Sequence, residues 1–196
     1  MDKKKNVCPT IIGVCGRSCS GKSDATRDVQ SQFSNKIIRI SADRFFKIFN
    51  EPKVYETDSW ESPNLVRWDR LIYSVKKLKN GESTHIPSVG WTEIFDQLID
   101  PKPIILVEGY LIFTNPELLK LFDVKIFLDV SDLNILYRRT LRDGVIGGMD
   151  YTMNKVIHIS KRYEEQQKKE ADMIINGNKS RKEISDELKK ILKLTD

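Results

Sequence analysis

The chain has 196 residues, 39% hydrophobic and 31% charged, the size and balance of one domain that buries its own core. A net charge of +5 suits anionic small molecules but is too small to imply a nucleic-acid partner, no apolar stretch approaches transmembrane length, and no membrane partner is expected. Met1-Asp2-Lys3-Lys4-Lys5 leads into no signal-peptide core, and Cys8, Cys15 and Cys19 lack disulfide or zinc spacing, so a reducing, cytoplasmic location is expected.

The first element is a strand at 11–15, apolar on both faces. Gly16-Arg17-Ser18-Cys19-Ser20-Gly21-Lys22-Ser23 follows and fits G-x-x-x-x-G-K-[ST] at every fixed position, with a helix expected over 24–33. Such a strand–loop–helix turns its backbone N–H groups, and the helix N-terminus, toward phosphate oxygens. Gly16, Ser18, Ser20, Gly21, Lys22 and Ser23 are therefore expected to hold a nucleoside triphosphate, with Lys22 on the β- and γ-phosphates and the Ser23 hydroxyl on Mg²⁺. Cys19, inside this loop, reads better as a tolerated small residue than as an oxidation-sensitive thiol.

A second strand at 37–41 leads to Asp43. A helix is expected at 64–79, opened by Pro63 and stopped by Gly81. The 80–103 stretch, with Pro87, Gly90, Pro101 and Pro103, is a long insertion, expected to fold over the site as a small β-extension that contacts the acceptor. The strand at 104–108 ends in Glu108. Asp43 and Glu108 thus stand at strand C-termini, where one carboxylate can take a proton from an acceptor hydroxyl and the other can orient metal-bound water.

Asn115-Pro116 opens a short helix at 117–121, and a strand follows at 124–129. The helix at 132–142 carries Arg138 and Arg142 on one face with Arg139 beside them, then Gly144, Gly147 and Gly148. This pattern suits a hinged, arginine-bearing lid over a transferring phosphoryl group. Helices at 152–170 and 182–194 flank a strand at 173–175. The alternation predicts an α/β fold with a parallel sheet of about five strands flanked by helices. A GTPase-like switch is disfavoured, since no guanine-reading Asn-Lys-x-Asp is present.

Taken together, these motifs resemble the uridine kinase branch of the P-loop kinases, which also holds the nicotinamide riboside kinases. The likeness runs from about Thr10 to Ile184. It is carried by the phosphate loop, Ser41-x-Asp43-x-Phe45-Phe46, Trp60-Glu61-Ser62-Pro63, Leu78-x-x-Gly81 before Ile86-Pro87, Val107-Glu108-Gly109, Arg138-Arg139-x-x-Arg142-Asp143, and Ala171-Asp172-x-Ile174-Ile175.

The resemblance implies a P-loop NTPase fold, a single kinase domain over 1–196 with the insertion at about 80–103 and a lid at about 138–170, and ATP with Mg²⁺ as cofactors. It implies phosphorylation of a ribonucleoside 5′-hydroxyl, with uridine or cytidine as the leading acceptors. Nicotinamide riboside is the alternative, or a nucleotide-binding member with little transfer. Carried over residue by residue, Asp43, Lys22 and Arg142 are catalytic; Arg138 and Arg142 join the loop in binding ATP; Ser23 and Glu108 organise the metal. Asp43, Phe46, Trp60, Glu61, Trp91 and Arg139 contact the nucleoside, with Glu61 and Arg139 on the ribose hydroxyls. The family often forms homo-oligomers. Two departures bear on the base: Ser88-Val89-Gly90-Trp91 stands where uridine kinases carry Tyr-Asp-Phe and then His, and Ile146-Gly147-Gly148 stands where they place two more lid arginines. Asp43-Arg44-Phe45-Phe46-Lys47 and the aromatic before Glu61 lean toward the nicotinamide riboside branch.

Overall fold

The computed structural model describes residues 8–47, 61–90, 92–144 and 148–194. Five strands form a parallel sheet: β1 (Thr10–Gly16), β2 (Ile37–Ser41), β5 (Ile104–Gly109), β6 (Val124–Asp129) and β7 (Met173–Asn176), in the order β2-β5-β1-β6-β7. β1 lies between β5 and β6, with Val14 opposite Glu108 and Ile126. The phosphate loop that leaves β1 therefore opens at the centre of the sheet's C-terminal edge, beside the ends of β5 and β2.

Both faces of the sheet are covered, which explains the unbroken apolar runs of its strands. On one face Ile12, Val14, Leu106 and Leu128 pack with Ala25 and Val29 of α1 (Lys22–Gln32) and Ile184 and Leu188 of α7 (Arg181–Ile191). On the other, Ile11, Ile105, Val107 and Phe127 meet Leu71, Val75 and Leu78 of α2 (Trp68–Lys79) and Leu118 of α3 (Pro116–Leu119). Several ends are written locally. Asn115 accepts from the Glu117 and Leu118 N–H groups, Gly81 leaves α2 at φ 77°, and Ser180 with Glu183 makes a reciprocal capping box on α7.

Three elements differ from expectation. The helix expected at 64–79 is a 3₁₀ turn, Pro63–Leu65, followed by α2 from Trp68. Between them the chain pairs sideways: Lys47 N–H donates to Leu65 O, Arg67 N–H donates to Phe45 O, and Phe46 bridges Val66. That tertiary pairing delays the helix. The 152–170 helix is preceded by α5 (Gly148–Tyr151) and opens as a π-helical segment, Thr152–Ile157, before α6 (His158–Glu170).

The third is the insertion. It forms the small β-extension as a two-stranded antiparallel ribbon, β3 (Thr84–Ile86) and β4 (Gln97–Ile99), but none of its described residues lines the cavity above the phosphate loop, and Trp91 lies outside them. Ile86 and Ile99 are buried among the α2 side chains and anchor the ribbon behind the sheet edge. Its tip backs onto the segment carrying Asp43: Arg44 donates to the Gln97 side chain at 2.5 Å, and a Cβ on Gly90 would lie 3.0 Å from Asp43 O. The ribbon props up the site from outside. Between β6 and α5 runs α4 (Asp132–Asp143), capped by Ser131, and it carries the expected arginines. Among the described residues no helix is long and apolar enough to cross a membrane.

Candidate active site

The loop between β1 and α1 is shaped by close approaches. A Cβ at Gly16 would stand 2.7 Å from Leu128 O, so only glycine lets the chain turn this tightly past β6. Gly21 takes a left-handed conformation at φ 94° as it enters α1, and Cys19 holds φ 59° at the tip. Arg17 anchors the loop from below. Its buried guanidinium donates to Val130 O at 2.7 Å, pairs with Asp132 at 2.8 Å and lies 3.5 Å from Glu164 of α6. Gln167, on the same helix, donates to Tyr110 O and accepts from the Phe113 N–H and the Cys15 thiol. Burial pushes that thiol up to about 12 and leaves it inert.

Above the loop lies a cavity of about 730 Å³. The phosphate side is lined by Ser18, Cys19, Gly21, Lys22 and Ser23, with Asp24 and Arg27 at the rim; Gly16 and Ser20 are buried beneath it. Lys22, 6% exposed as a residue, points its ammonium back to Arg17 O at 3.4 Å. Three arginines come from α4. Arg138 donates to Cys19 O at 2.9 Å, Gly177 O at 2.8 Å and Lys179 O at 3.2 Å, so the guanidinium expected on the triphosphate also clamps loop backbone to the β7–α7 turn. Arg139 donates to Ser18 Oγ at 3.0 Å and Thr152 Oγ1 at 3.2 Å. Arg142 reaches the cavity and forms a two-point pair with Asp143.

The far wall is made by Asp43, Phe46, Glu61 and Tyr110. Asp43 is solvent-exposed where it opens onto the cavity, with Glu108, Lys22, Arg39 and Arg142 around it. Its pKa is raised, first by lost solvation and then by the neighbouring Glu108 charge, against opposing pulls from Lys22, Arg39 and Arg142. Glu61, 5% exposed, is pushed up to about 7 by burial, with Lys22 and Arg139 acting against the shift. Phe46 and Tyr110 stack at 5.8 Å with rings only 9° apart, and burial beside Glu61 and Asp43 raises the Tyr110 phenol well above its ordinary value. Trp60, Trp91 and Gly147 lie outside the described residues.

Glu108 does not line the cavity; it is fully buried at the floor. Its Oε2 accepts from Ser23 Oγ at 3.0 Å, and its Oε1 accepts from Arg39 Nη2 at 2.5 Å. Arg39 and Tyr110 escaped the sequence reading. Arg39 had a visible signal, a charged residue inside an isoleucine-rich buried strand, where such residues are almost always partnered. Tyr110 had none beyond following the Glu108-Gly109 pair. A hydroxyl beside a carboxylate oxygen suits Mg²⁺, a hard cation that takes its remaining ligands from water and phosphate. No group of three or more His, Cys, Asp and Glu able to hold a metal occurs among the described residues.

The central phosphate loop, the flanking strand order and a cavity with paired carboxylates define a P-loop kinase fold. At that level the chain is similar in structure to a proposed fructose transport system kinase from Silicibacter sp. TM1040, with TM-score 0.67 at 17% identity, covering 89% of this chain and 93% of that one. In sequence it is 32% identical to a uridine kinase from Chlamydia pneumoniae, over 86% of this chain and 82% of that protein. It is 30% identical to a uridine kinase from Staphylococcus haemolyticus, over 88% and 90%. The profile of the Phosphoribulokinase / Uridine kinase family matches residues 11–182, and the chain belongs to that family.

Proposed function

We propose that the protein is an ATP-dependent ribonucleoside kinase of the cytoplasm, working as one kinase domain over 1–196 and transferring the γ-phosphoryl group to the 5′-hydroxyl of uridine or cytidine. The observation that carries this reading is that Asp43 and Glu61, two carboxylates with raised pKa, share a cavity with the phosphate-loop Lys22 and Ser23. A hydrolase needs a water site beside the phosphates; it has no use for a second carboxylate, the buried Glu61, on the acceptor wall. The uridine kinases among its relatives support the choice of acceptor.

In this mechanism Asp43, ionised, accepts the 5′-hydroxyl proton as that oxygen bonds to the γ-phosphorus and the bond to the β-phosphate oxygen breaks. The raised pKa makes its ionised form a stronger base than an ordinary aspartate. Lys22 and Arg142 supply positive charge to the phosphate chain, and Arg138 holds the loop that cradles it. Glu61, with Arg139 nearby, accepts the vicinal 2′- and 3′-hydroxyls, which a 2′-deoxy sugar only half satisfies. Phe46 and Tyr110 form a flat apolar wall for the nucleoside. Mg²⁺, held by Ser23 and organised by Glu108, would neutralise charge on the β- and γ-phosphates when bound.

The test is incubation of the purified protein with Mg·ATP and uridine, cytidine, deoxycytidine, adenosine or nicotinamide riboside, following ADP and monophosphate together. Phosphorylation of uridine and cytidine but not deoxycytidine is expected. A nicotinamide riboside product alone would move the acceptor to that branch, and ATP binding with no transfer to any of them would refute the kinase reading.

A further inference from the structure

Arg39 stands in the middle of β2, in the run Ile37-Ile38-Arg39-Ile40, and is in register with Leu106 of β5. Glu108 lies two residues further along β5, opposite Ser41, so the two side chains are diagonal neighbours on the sheet face covered by α1. Arg39 spans that layer. Its Nε donates to Thr26 Oγ1 of α1 at 3.0 Å and its Nη2 to Glu108 Oε1 at 2.5 Å, with the arginine side chain 11% exposed and the glutamate 0%. The other glutamate oxygen accepts the Ser23 hydroxyl at 3.0 Å. Both carboxylate oxygens are thus engaged, and the guanidinium offers its forked donors to a fixed position.

This arrangement does two things. It turns the Ser23 O–H inward toward Glu108, which leaves the hydroxyl lone pairs facing the cavity. It also places a permanent positive charge beside the carboxylate that organises the cation. Arg39 offsets Glu108, and the cavity lining sets Lys22, Arg27, Arg138, Arg139 and Arg142 against Asp24, Asp43 and Glu61, so the site offers no net negative charge to a bare divalent ion. The charge that would draw one in arrives only with the phosphate chain.

We infer that Arg39 is a positioning residue that fixes Glu108 and Ser23 and makes the site admit a divalent cation only together with the nucleotide. The inference rests on the proposed kinase reading in placing the cation at Ser23 and Glu108, but its readout is separate from phosphoryl transfer.

The experiment is titration of nucleotide-free protein with Mn²⁺, followed by the loss of free-ion electron paramagnetic resonance signal. Wild-type protein is expected to show no saturable binding at micromolar Mn²⁺. Arg39→Met removes a unit charge a few ångströms from the carboxylate, and is expected to tighten free Mn²⁺ binding by about tenfold or more. Arg39→Gln keeps an amide donor for Glu108 while losing the charge. It is expected to show the same gain, and it serves if the methionine variant does not fold. Arg39→Lys keeps the charge and is expected to exclude free Mn²⁺ as wild type does. Neutral variants that bind Mn²⁺ no better than wild type, or a lysine variant that binds it as they do, would overturn the inference; a change in melting temperature alone would mark the ion pair as structural. Uridine phosphorylation, assayed on the same preparations, reports the kinase reading independently: intact transfer with unchanged Mn²⁺ binding sinks only the role of Arg39, and altered Mn²⁺ binding without any nucleoside transfer sinks only the kinase reading.

Discussion

Glu61→Gln separates stability from function at the acceptor wall. Burial raises the Glu61 carboxyl from an ordinary glutamate value near 4.5 to about 7 in the folded protein. Below the unfolded value both states are protonated and folding carries no penalty. As pH rises the unfolded chain ionises first, and the folded state loses stability until pH passes the folded pKa. The shift is worth about 3 kcal/mol above pH 8 and about 1 kcal/mol at pH 5.5. Glutamine is close in shape and does not ionise, so the variant is expected to be more stable than wild type at pH 8.5 by about 3 kcal/mol, or roughly 6–12 °C in melting temperature. The advantage should shrink by about two-thirds at pH 5.5. Ionised Glu61 is also the form that accepts two ribose hydroxyls, so the same variant should lose about a hundredfold or more in kcat/KM for uridine while its KM for ATP stays close to wild type. Urea unfolding at the two pH values, with steady-state kinetics beside it, reads both effects. A variant no more stable than wild type at pH 8.5, or one whose advantage is independent of pH, would show that burial does not penalise the charged carboxylate.

Three further outcomes follow from the same geometry. In wild-type protein kcat/KM for the nucleoside should rise as pH is raised through about 7, as Glu61 ionises, and the Glu61→Gln profile should lose that limb. Asp43→Asn should still bind ATP, measured by calorimetry, but lose about 10²–10⁴ in kcat, since the acceptor proton has no base; near-normal turnover would remove Asp43 from the mechanism. Arg138→Met should cost about 2–4 kcal/mol in urea unfolding and weaken ATP binding, because three backbone carbonyls of two different loops lose their shared donor. A lysine at position 138, with a point charge and no fork, should recover only part of either loss.

The strands, the loop and most helix boundaries were legible in the sequence because each depends on near neighbours. Apolar runs at 11–15, 37–41, 104–108, 124–129 and 173–175 are the five strands of the sheet, and Gly16 to Ser23 form the turn that their glycines permit. Lys22 and Asp43 could be nominated because one sits in a motif of fixed spacing and the other follows a strand end, and Glu61 because the resemblance carries it over at Trp60-Glu61-Ser62-Pro63. Contacts across the fold were not legible in the same way. The pairing of 45–47 with 65–67 holds back α2, the ribbon at 84–99 docks through Ile86 and Ile99 behind the site, and Arg138 clamps carbonyls about 40 and 120 residues away in sequence. Sequence periodicity reports which face of an element is apolar, but not which distant polar group meets it. The identity of the phosphate-binding loop was therefore decided by local chemistry. The raised pKa of Glu61 and the Arg39 counter-charge on Glu108 exist only because tertiary packing removes water from around carboxylates brought to one cavity by separate strands and turns.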